Sequence, residues 1–199
     1  MSLRDSRQAG GQGTGPRTAR PAVQVVAVTG GKGGVGKSTV AINLATAFAR
    51  LGRRTMLLDG DLGLANADVL LGLTPRYTLA HVIRGERRLE EILVEAPQGF
   101  TIVPAASGIA QMAALGATET LGLVRELATV GADLDALVVD TPAGISPAVL
   151  HLTQAAQHVL VVVCDEPTSI TDAYALMKVL RRDHGVGRGH RGGVRERGG

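Results

Sequence analysis

The chain has 199 residues, of which 45% are apolar and 2% aromatic, and its formal net charge is +3. This size is enough for one sizeable core, whereas a second independent domain would leave both halves small. No apolar run approaches the roughly 18 residues that a membrane-spanning helix needs, so the sequence excludes a spanning helix and predicts a soluble, cytoplasmic chain.

The positive charge is concentrated at the two ends of the chain. Residues 1–20 carry four arginines against one aspartate, and residues 184–199 carry four arginines against one glutamate, so the part between them has a net charge of −3. A mildly acidic body with basic ends does not favour a nucleic-acid surface. Nucleic acid is therefore not an expected partner.

The predicted elements follow one another as short apolar runs and stretches of helical apolar spacing. Residues 1–21 have almost no apolar content and are expected to be disordered, and the domain is expected to span residues 22–183. The predicted strands are 23–29, 55–59, 100–103, 136–140 and 158–163. The predicted helices are 37–50, 79–84, 89–94, 119–130, 146–156 and 169–182, the last with Thr168 or Ser169 as its N-cap.

Strands that alternate with helices at this spacing predict an α/β fold, with a doubly wound, mostly parallel sheet and helices on both faces. Ligands bind such sheets at the carboxyl ends of the strands. Glycine-rich or acidic stretches follow three of the predicted strands. We expect these three stretches to converge on one crevice.

The first stretch is a glycine-rich loop between a predicted strand and a predicted helix, and it matches the phosphate-loop pattern G-x-x-x-x-G-K-[ST]. Glycines let backbone N–H groups surround phosphate oxygens, the lysine reaches the outer phosphates, and the serine hydroxyl ligates Mg²⁺. The alternative is an ordinary glycine-rich turn. The expected ATP contacts from the motif are Gly31, Gly33, Gly34, Val35, Gly36, Lys37, Ser38 and Thr39.

The other two stretches supply carboxylates. Asp59 and Asp61 follow a predicted strand, where they could hold Mg²⁺ and orient a water, although an ordinary turn is the alternative there. Asp140 ends an apolar strand in the Walker B manner, which places a carboxylate near Mg²⁺ or its water. The expected Mg²⁺ ligands are therefore Ser38, Asp59 and Asp140.

A second lysine inside the loop makes the motif more specific. Lys32 precedes Lys37 in the stretch KGGVGKS, which resembles the deviant Walker A signature of the MinD/ParA family of ATPases. The resemblance implies that Lys32 contacts nucleotide phosphates, that Asp61 is the switch I acid that assists hydrolysis, and that the Walker B segment continues through switch II to Gly144. Lys32, Lys37 and Asp61 are the expected catalytic residues.

Within that family the chain is most similar to the flagellar number regulators, in the stretches LLDGDLGLAN, IVPAASG and CDEPTSITDAYAL. This resemblance implies a homodimer in the ATP-bound state and slow hydrolysis that acts as a timer. It also implies two partners, a flagellar transcriptional activator and an SRP-type GTPase. The family's association with the membrane uses a C-terminal helix.

After residue 183 the chain departs from the family pattern. The family would continue with further strands and the membrane-binding helix, whereas residues 184–199 are mostly glycine and arginine. We expect a truncated domain whose last residues come from a shifted reading frame. A genuine disordered tail and an RNA-binding Gly/Arg segment are the alternatives.

Two other functions remain open at this point. The chain could be a non-hydrolysing fragment that only binds a partner, which ATP turnover would decide, or a ParA-like partitioning ATPase, which retention of DNA would decide. Iron–sulfur relatives need several cysteines, and Cys164 is the only one in the sequence.

Overall fold

The computed structural model describes residues 22–60, 67–105, 116–130 and 133–184, and its strands form one six-stranded sheet. The strands are β1 (Gln24–Gly30), β2 (Thr55–Asp59), β3 (Val94–Glu95), β4 (Thr101–Val103), β5 (Ala136–Ala143) and β6 (His158–Val161). Their order across the sheet is β3-β4-β2-β5-β1-β6. All neighbouring pairs are parallel except β3 and β4.

The helices connect these strands. They are α1 (Lys37–Arg50), α2 (Ala67–Leu70), α3 (Leu79–Ile83), α4 (Ala117–Val130), α5 (Pro147–Gln154) and α6 (Pro167–His184), with a short 3-10 helix at Leu89–Glu91. None of the helices in the described part of the chain combines the length and the hydropathy needed to cross a membrane.

The two faces of the sheet bury separate apolar cores, because successive residues of a strand point to opposite faces. On one face Leu57 of β2 and Val138 of β5 pack with Ala41 and Ala45 of α1. On the other face the alternate residues of the same strands pack with α3, α4 and α5. The predicted α/β class, with helices on both faces of a mostly parallel sheet, is confirmed.

The predicted bounds of α1 and β2 agree with the structure at both ends. α1 has a clear start, since Gly36 lies just before it with a left-handed φ of 87°, and a clear end at the turn around Gly52. All five residues of β2 are buried, including the polar Thr55 and Asp59 at its two ends. The expected strands β1, β4, β5 and β6 are present with small shifts at their ends.

Two predictions about local structure are wrong. The helix expected over residues 89–94 ends at Glu91, and Val94–Glu95 is a short edge strand instead. The last helix begins at Pro167, so neither Thr168 nor Ser169 is its N-cap. The Ser169 hydroxyl accepts a hydrogen bond from the Cys164 N–H at 3.0 Å instead, which fixes the turn between β6 and α6.

The predictions for the two tails concern residues 1–21 and 184–199; His184 is the last residue of α6, and residues 1–21 and 185–199 lie outside the described residues. The expectation for Asp61 also falls outside them. These expectations stay predictions.

The contact between Gly31 and α6 positions the loop after β1. A Cβ atom at Gly31 would overlap the backbone of Asp172 and Ala173, so the helix can approach this closely only because residue 31 has no side chain. At Gly33, two residues further on, no atom lies within 4 Å of the corresponding position.

We predict that Gly31→Ala lowers the free energy of unfolding by about 2 kcal/mol or more, because α6 must move away from β1. Gly33→Ala is the matched control, since its added methyl group meets open space. Urea unfolding followed by circular dichroism measures both. Equal stability of the two variants would contradict this account of how α6 packs.

Candidate nucleotide-binding site

The loop between β1 and α1 has the open, concave backbone of a phosphate cradle. Gly34 and Gly36 have φ values of 75° and 87°, which side chains other than glycine's rarely adopt. No atom lies within 4 Å of where a Cβ would stand at Gly33, Gly34 or Gly36. The loop runs into the N-terminus of α1, where free N–H groups and the helix dipole favour an anion.

Lys37, the first residue of α1, carries its charge into this cradle. It is 8% exposed, and its stem lies against Gly30, where an added Cβ would be 3.3 Å from the lysine Cδ. Within the described residues, the ammonium makes no ion pair and no side-chain hydrogen bond. A lysine that is largely buried beside an open loop, with no carboxylate paired to it in the described part of the chain, fits an anionic ligand such as a phosphate group.

Asp59 and Asp140 stand side by side at the ends of neighbouring strands. They are register partners in the parallel pair of β2 and β5, and are 2% and 1% exposed. Leu57 and Val138, two residues earlier, pack against α1, so the two-residue period puts both carboxylates on the face that carries Lys37. Asp59 also accepts a hydrogen bond from the Ala67 N–H, at 3.1 Å, through Oδ2.

The oxygen atoms of Ser38, Asp59 and Asp140 suit a Mg²⁺ ion that is bound along with a nucleotide. Ser38 is half-buried beside Lys37, and hydroxyl and carboxylate oxygens are the ligands that Mg²⁺ prefers. Among the described residues, no group of three or more His, Cys, Asp or Glu side chains could hold a metal ion. In nucleotide sites Mg²⁺ is usually bound by one or two protein side chains together with phosphate oxygens and waters.

Backbone contacts tie the loops around the site together. The Gly144 N–H, in the segment after β5, donates to the Gly30 carbonyl at 2.9 Å, and Gly144 has a φ of 91°. The Gly60 N–H donates to the Asp140 carbonyl at 2.7 Å, and a Cβ at Gly60 would be 2.5 Å from that oxygen. Sequence reasoning missed Gly60; a glycine between two aspartates after a strand was the available signal.

Lys32 points to a different element from Lys37. Its Nζ atom lies 3.1 Å from Glu166 Oε2 and 3.2 Å from Thr168 Oγ1, at the start of α6. The Lys32 and Glu166 side chains are 42% and 60% exposed, so this ion pair contributes little stability. Sequence reasoning missed both partners of Lys32, which lie more than 130 positions away along the chain.

The structure brings most of the predicted site residues to one edge of the sheet. Val35 is buried and packs with the α1 core, and its carbonyl accepts a contact from Cys164 Sγ at 3.8 Å, so this residue anchors the loop. Thr39 is exposed on the first turn of α1. Asp61 lies outside the described residues, and Lys32 is turned toward Glu166.

Comparisons with known proteins agree with this geometry. The model of the family described as "AAA domain" matches residues 23–184. The chain is 61% identical to the antiactivator FleN of Pseudomonas aeruginosa, over 83% of this chain and 59% of that protein. It is 37% identical to the flagellum site-determining protein YlxH of Helicobacter pylori, over 77% of this chain and 52% of that protein.

A solved structure shares the fold. It is the septum site-determining protein MinD of Pyrococcus horikoshii complexed with Mg-ADP, with a TM-score of 0.71 and 26% identity, over 81% of this chain and 66% of that one. The chain thus spans only about half to two thirds of the length of these relatives. The chain belongs to the AAA domain family of P-loop proteins, in its MinD/ParA-type branch.

Proposed function

We propose that the chain binds and hydrolyses Mg·ATP and acts as a nucleotide-controlled switch. The observation that carries this proposal is Lys37, a largely buried lysine whose ammonium forms no ion pair among the described residues, next to an open glycine loop. An ATP phosphate would supply the missing negative charge.

Each group of the site has a role in this proposal. Lys37 and the N–H groups of the loop bind the phosphates, and Ser38, Asp59 and Asp140 hold Mg²⁺. Mg²⁺ held by these residues would supply charge neutralisation to the phosphates. Asp61 orients the attacking water, as the family resemblance implies. Phosphoryl transfer depends mainly on such positioning and charge neutralisation.

We propose that Lys32 links the nucleotide state to dimerisation. In the structure it binds Glu166 and Thr168 through a half-exposed ion pair and a hydrogen bond, which together cost little to break. Release from Glu166 would let Lys32 reach nucleotide phosphates, including those held by a second copy of the chain. Hydrolysis would remove the γ-phosphate that holds it there, so the ADP form would dissociate.

The relatives support a role in the control of flagella. FleN is named an antiactivator and YlxH a flagellum site-determining protein, so we propose that the ATP-bound dimer restrains flagellar number by binding a flagellar transcriptional activator. The SRP-type GTPase and the membrane association of the family remain predictions from resemblance. A ParA-like role on DNA is the second candidate, and the net charge of −3 between the tails argues against it.

The first prediction concerns Lys37. We expect Lys37→Ala to weaken Mg·ATP binding by about a hundredfold or more, because it removes the buried charge that faces the phosphates. Isothermal titration calorimetry on the purified chain measures this, with size-exclusion chromatography to show that the protein is compact. Lys178→Ala is the matched control, since Lys178 is exposed on α6.

Equal ATP affinity of Lys37→Ala and the parent chain would contradict the phosphate site. Unchanged binding in Lys178→Ala and loss in Lys37→Ala would support it. If the parent chain binds ATP but releases no phosphate, the chain is a non-hydrolysing fragment instead. Retention on DNA at low salt that is lost as the salt concentration rises would favour the ParA-like role.

The second prediction separates binding from turnover. We expect Asp61→Ala and Lys32→Ala each to lower the rate of phosphate release by about a hundredfold, since Asp61 would orient the water and Lys32 would reach the phosphates only after its release from Glu166. Their affinity for Mg·ATP should stay within about threefold of the parent, because Lys37 is intact. A phosphate-release assay at saturating ATP measures the rate. Parent-like turnover in either variant would remove that residue from the mechanism.

A further inference from the structure

Two arginine side chains lie against the ring of Tyr77, in the segment before α3. The guanidinium carbon of Arg87 is 4.3 Å from the ring centroid, and that of Arg76 is 5.2 Å from it. Arg87 Nη2 also donates a hydrogen bond to the Tyr77 hydroxyl at 2.9 Å. His81 meets the ring edge-on at 5.4 Å, so three side chains hold the aromatic ring in place.

The position of this cluster is fixed by the fold. The Tyr77 ring packs against the core beneath α3, and the Leu79 N–H donates to the carbonyl of Pro104, directly after β4, at 2.9 Å. Two strands, β2 and β5, separate β4 from the strand that leads into the phosphate loop. The cluster therefore shares no residue with the nucleotide site.

The two arginines on the ring form no ion pair within the described residues, although Glu86 and Glu91 lie near enough to interact with Arg87. Arg84 pairs with Glu86 at 3.0 Å and Arg88 with Glu91 at 3.9 Å, so these two acids of the segment are already in use. Neither Arg76 nor Arg87 forms an ion pair with a carboxylate in the part of the chain that the structure describes. Two guanidinium groups within reach of one ring repel each other unless an anion joins them.

The hydroxyl of Tyr77 adds a donor to this arrangement. Its oxygen accepts from Arg87, which leaves its own O–H free to donate. The hydrogen bond from Arg87 is the main reason that the pKa of Tyr77 is lowered, partial burial opposes this, and the charge of Arg76 adds to it. The two guanidinium groups and the phenolic hydroxyl are thus clustered around one ring.

We propose that Arg76, Tyr77 and Arg87 form a docking site for an acidic segment of a protein partner. Carboxylates of the segment would accept hydrogen bonds from the two guanidinium groups and from the phenolic hydroxyl. Arginine forks and carboxylates match in geometry, and such charge-assisted bonds are stronger than neutral ones.

The surrounding charge favours an acidic peptide over a nucleic acid or an anionic membrane. Residues 76–91 hold four arginines but also three glutamates, and two of the arginines are already paired. A polyphosphate chain gains affinity from many adjacent cations, and the glutamates would repel it. A peptide that binds through one or two carboxylates needs only two cations, and Arg76 and Arg87 can supply them.

The test uses the 199-residue chain and a fluorescein-labelled oligoglutamate peptide, with binding followed by fluorescence anisotropy. The double variant Arg76→Gln/Arg87→Gln removes the two unpaired charges. The matched control Arg84→Gln/Arg88→Gln removes two paired charges from the same segment, so the net charge of both variants is equal. Tyr77→Phe removes the hydroxyl and keeps the ring that packs on the core.

We expect Arg76→Gln/Arg87→Gln to weaken peptide binding by about tenfold or more, and Tyr77→Phe to weaken it by about threefold. The control pair should change it by less than about twofold. Equal losses in the two double variants would overturn the proposal, as would an oligoserine peptide that binds as well. Arginine-dependent capture of DNA or anionic vesicles without peptide binding would overturn it too.

A spectroscopic readout distinguishes docking from a structural role. The chain has two tyrosines and no tryptophan, and Tyr174 is exposed, so Tyr174→Phe leaves Tyr77 as the only reporter. Saturating peptide should raise the pKa of Tyr77 in this variant, because carboxylates beside Arg76 and Arg87 offset the charges that lower it. An unchanged tyrosine titration would overturn the proposal even if the variants lose affinity.

Discussion

The position of Lys37, a largely buried lysine, is the constraint on which the rest of the nucleotide site depends. Only 8% of Lys37 is exposed, and its position is determined by the start of α1, which Gly36 allows with a left-handed backbone. Because the charge has no partner within the described residues, this edge of the sheet is suited to bind an anion. The same requirement explains the small side chains around it, since a phosphate group needs space beside the loop.

Close backbone contacts make the parts of the site depend on one another. Gly31 lies against the backbone of α6, Gly60 crosses the end of β5 at Asp140, and Gly144 is hydrogen-bonded to Gly30. A movement of one loop therefore changes its neighbours, because backbone atoms in contact cannot give way as a flexible side chain does. If the proposed switch is correct, this contact network is the physical route by which the phosphate loop could influence α6.

The sequence correctly predicted the helices and strands whose ends are determined by residues close to them in the chain. The ends of α1 follow from Gly36 and Gly52, and β2 is a five-residue strand with an apolar centre that is buried on both faces. Sequence reasoning failed where tertiary contacts determine the secondary structure. Val94 pairs with Ile102 as an edge strand, although residues 89–94 have helical apolar spacing. Pro167 begins α6 because proline suits the first turn of a helix, a position that the search for a serine or threonine cap overlooked.

The candidate site likewise has features that the local sequence predicts and features that only tertiary contacts determine. The loop, Lys37 and the two strand-end acids were predictable, because the motif and its strand–loop–helix context are contiguous in sequence. The partners of Lys32 were not, since Glu166 comes from a loop at the other end of the domain. Likewise, no motif marks Arg87 as the group that donates to Tyr77, and only the structure shows which arginines are paired.

The distribution of paired and unpaired cations indicates, better than the net charge does, where an anionic ligand binds. Arg54 pairs with Asp133 at 2.8 Å and Arg84 pairs with Glu86, and these surface pairs contribute little to stability or binding. Lys37 and Arg87, by contrast, have no carboxylate partner among the described residues, and each is held in place by its surroundings. A cation that the fold positions but does not neutralise keeps its full interaction energy for a ligand. Both proposals follow from this one physical difference, since a phosphate or a carboxylate gains most where the protein itself has left a positioned positive charge without a partner.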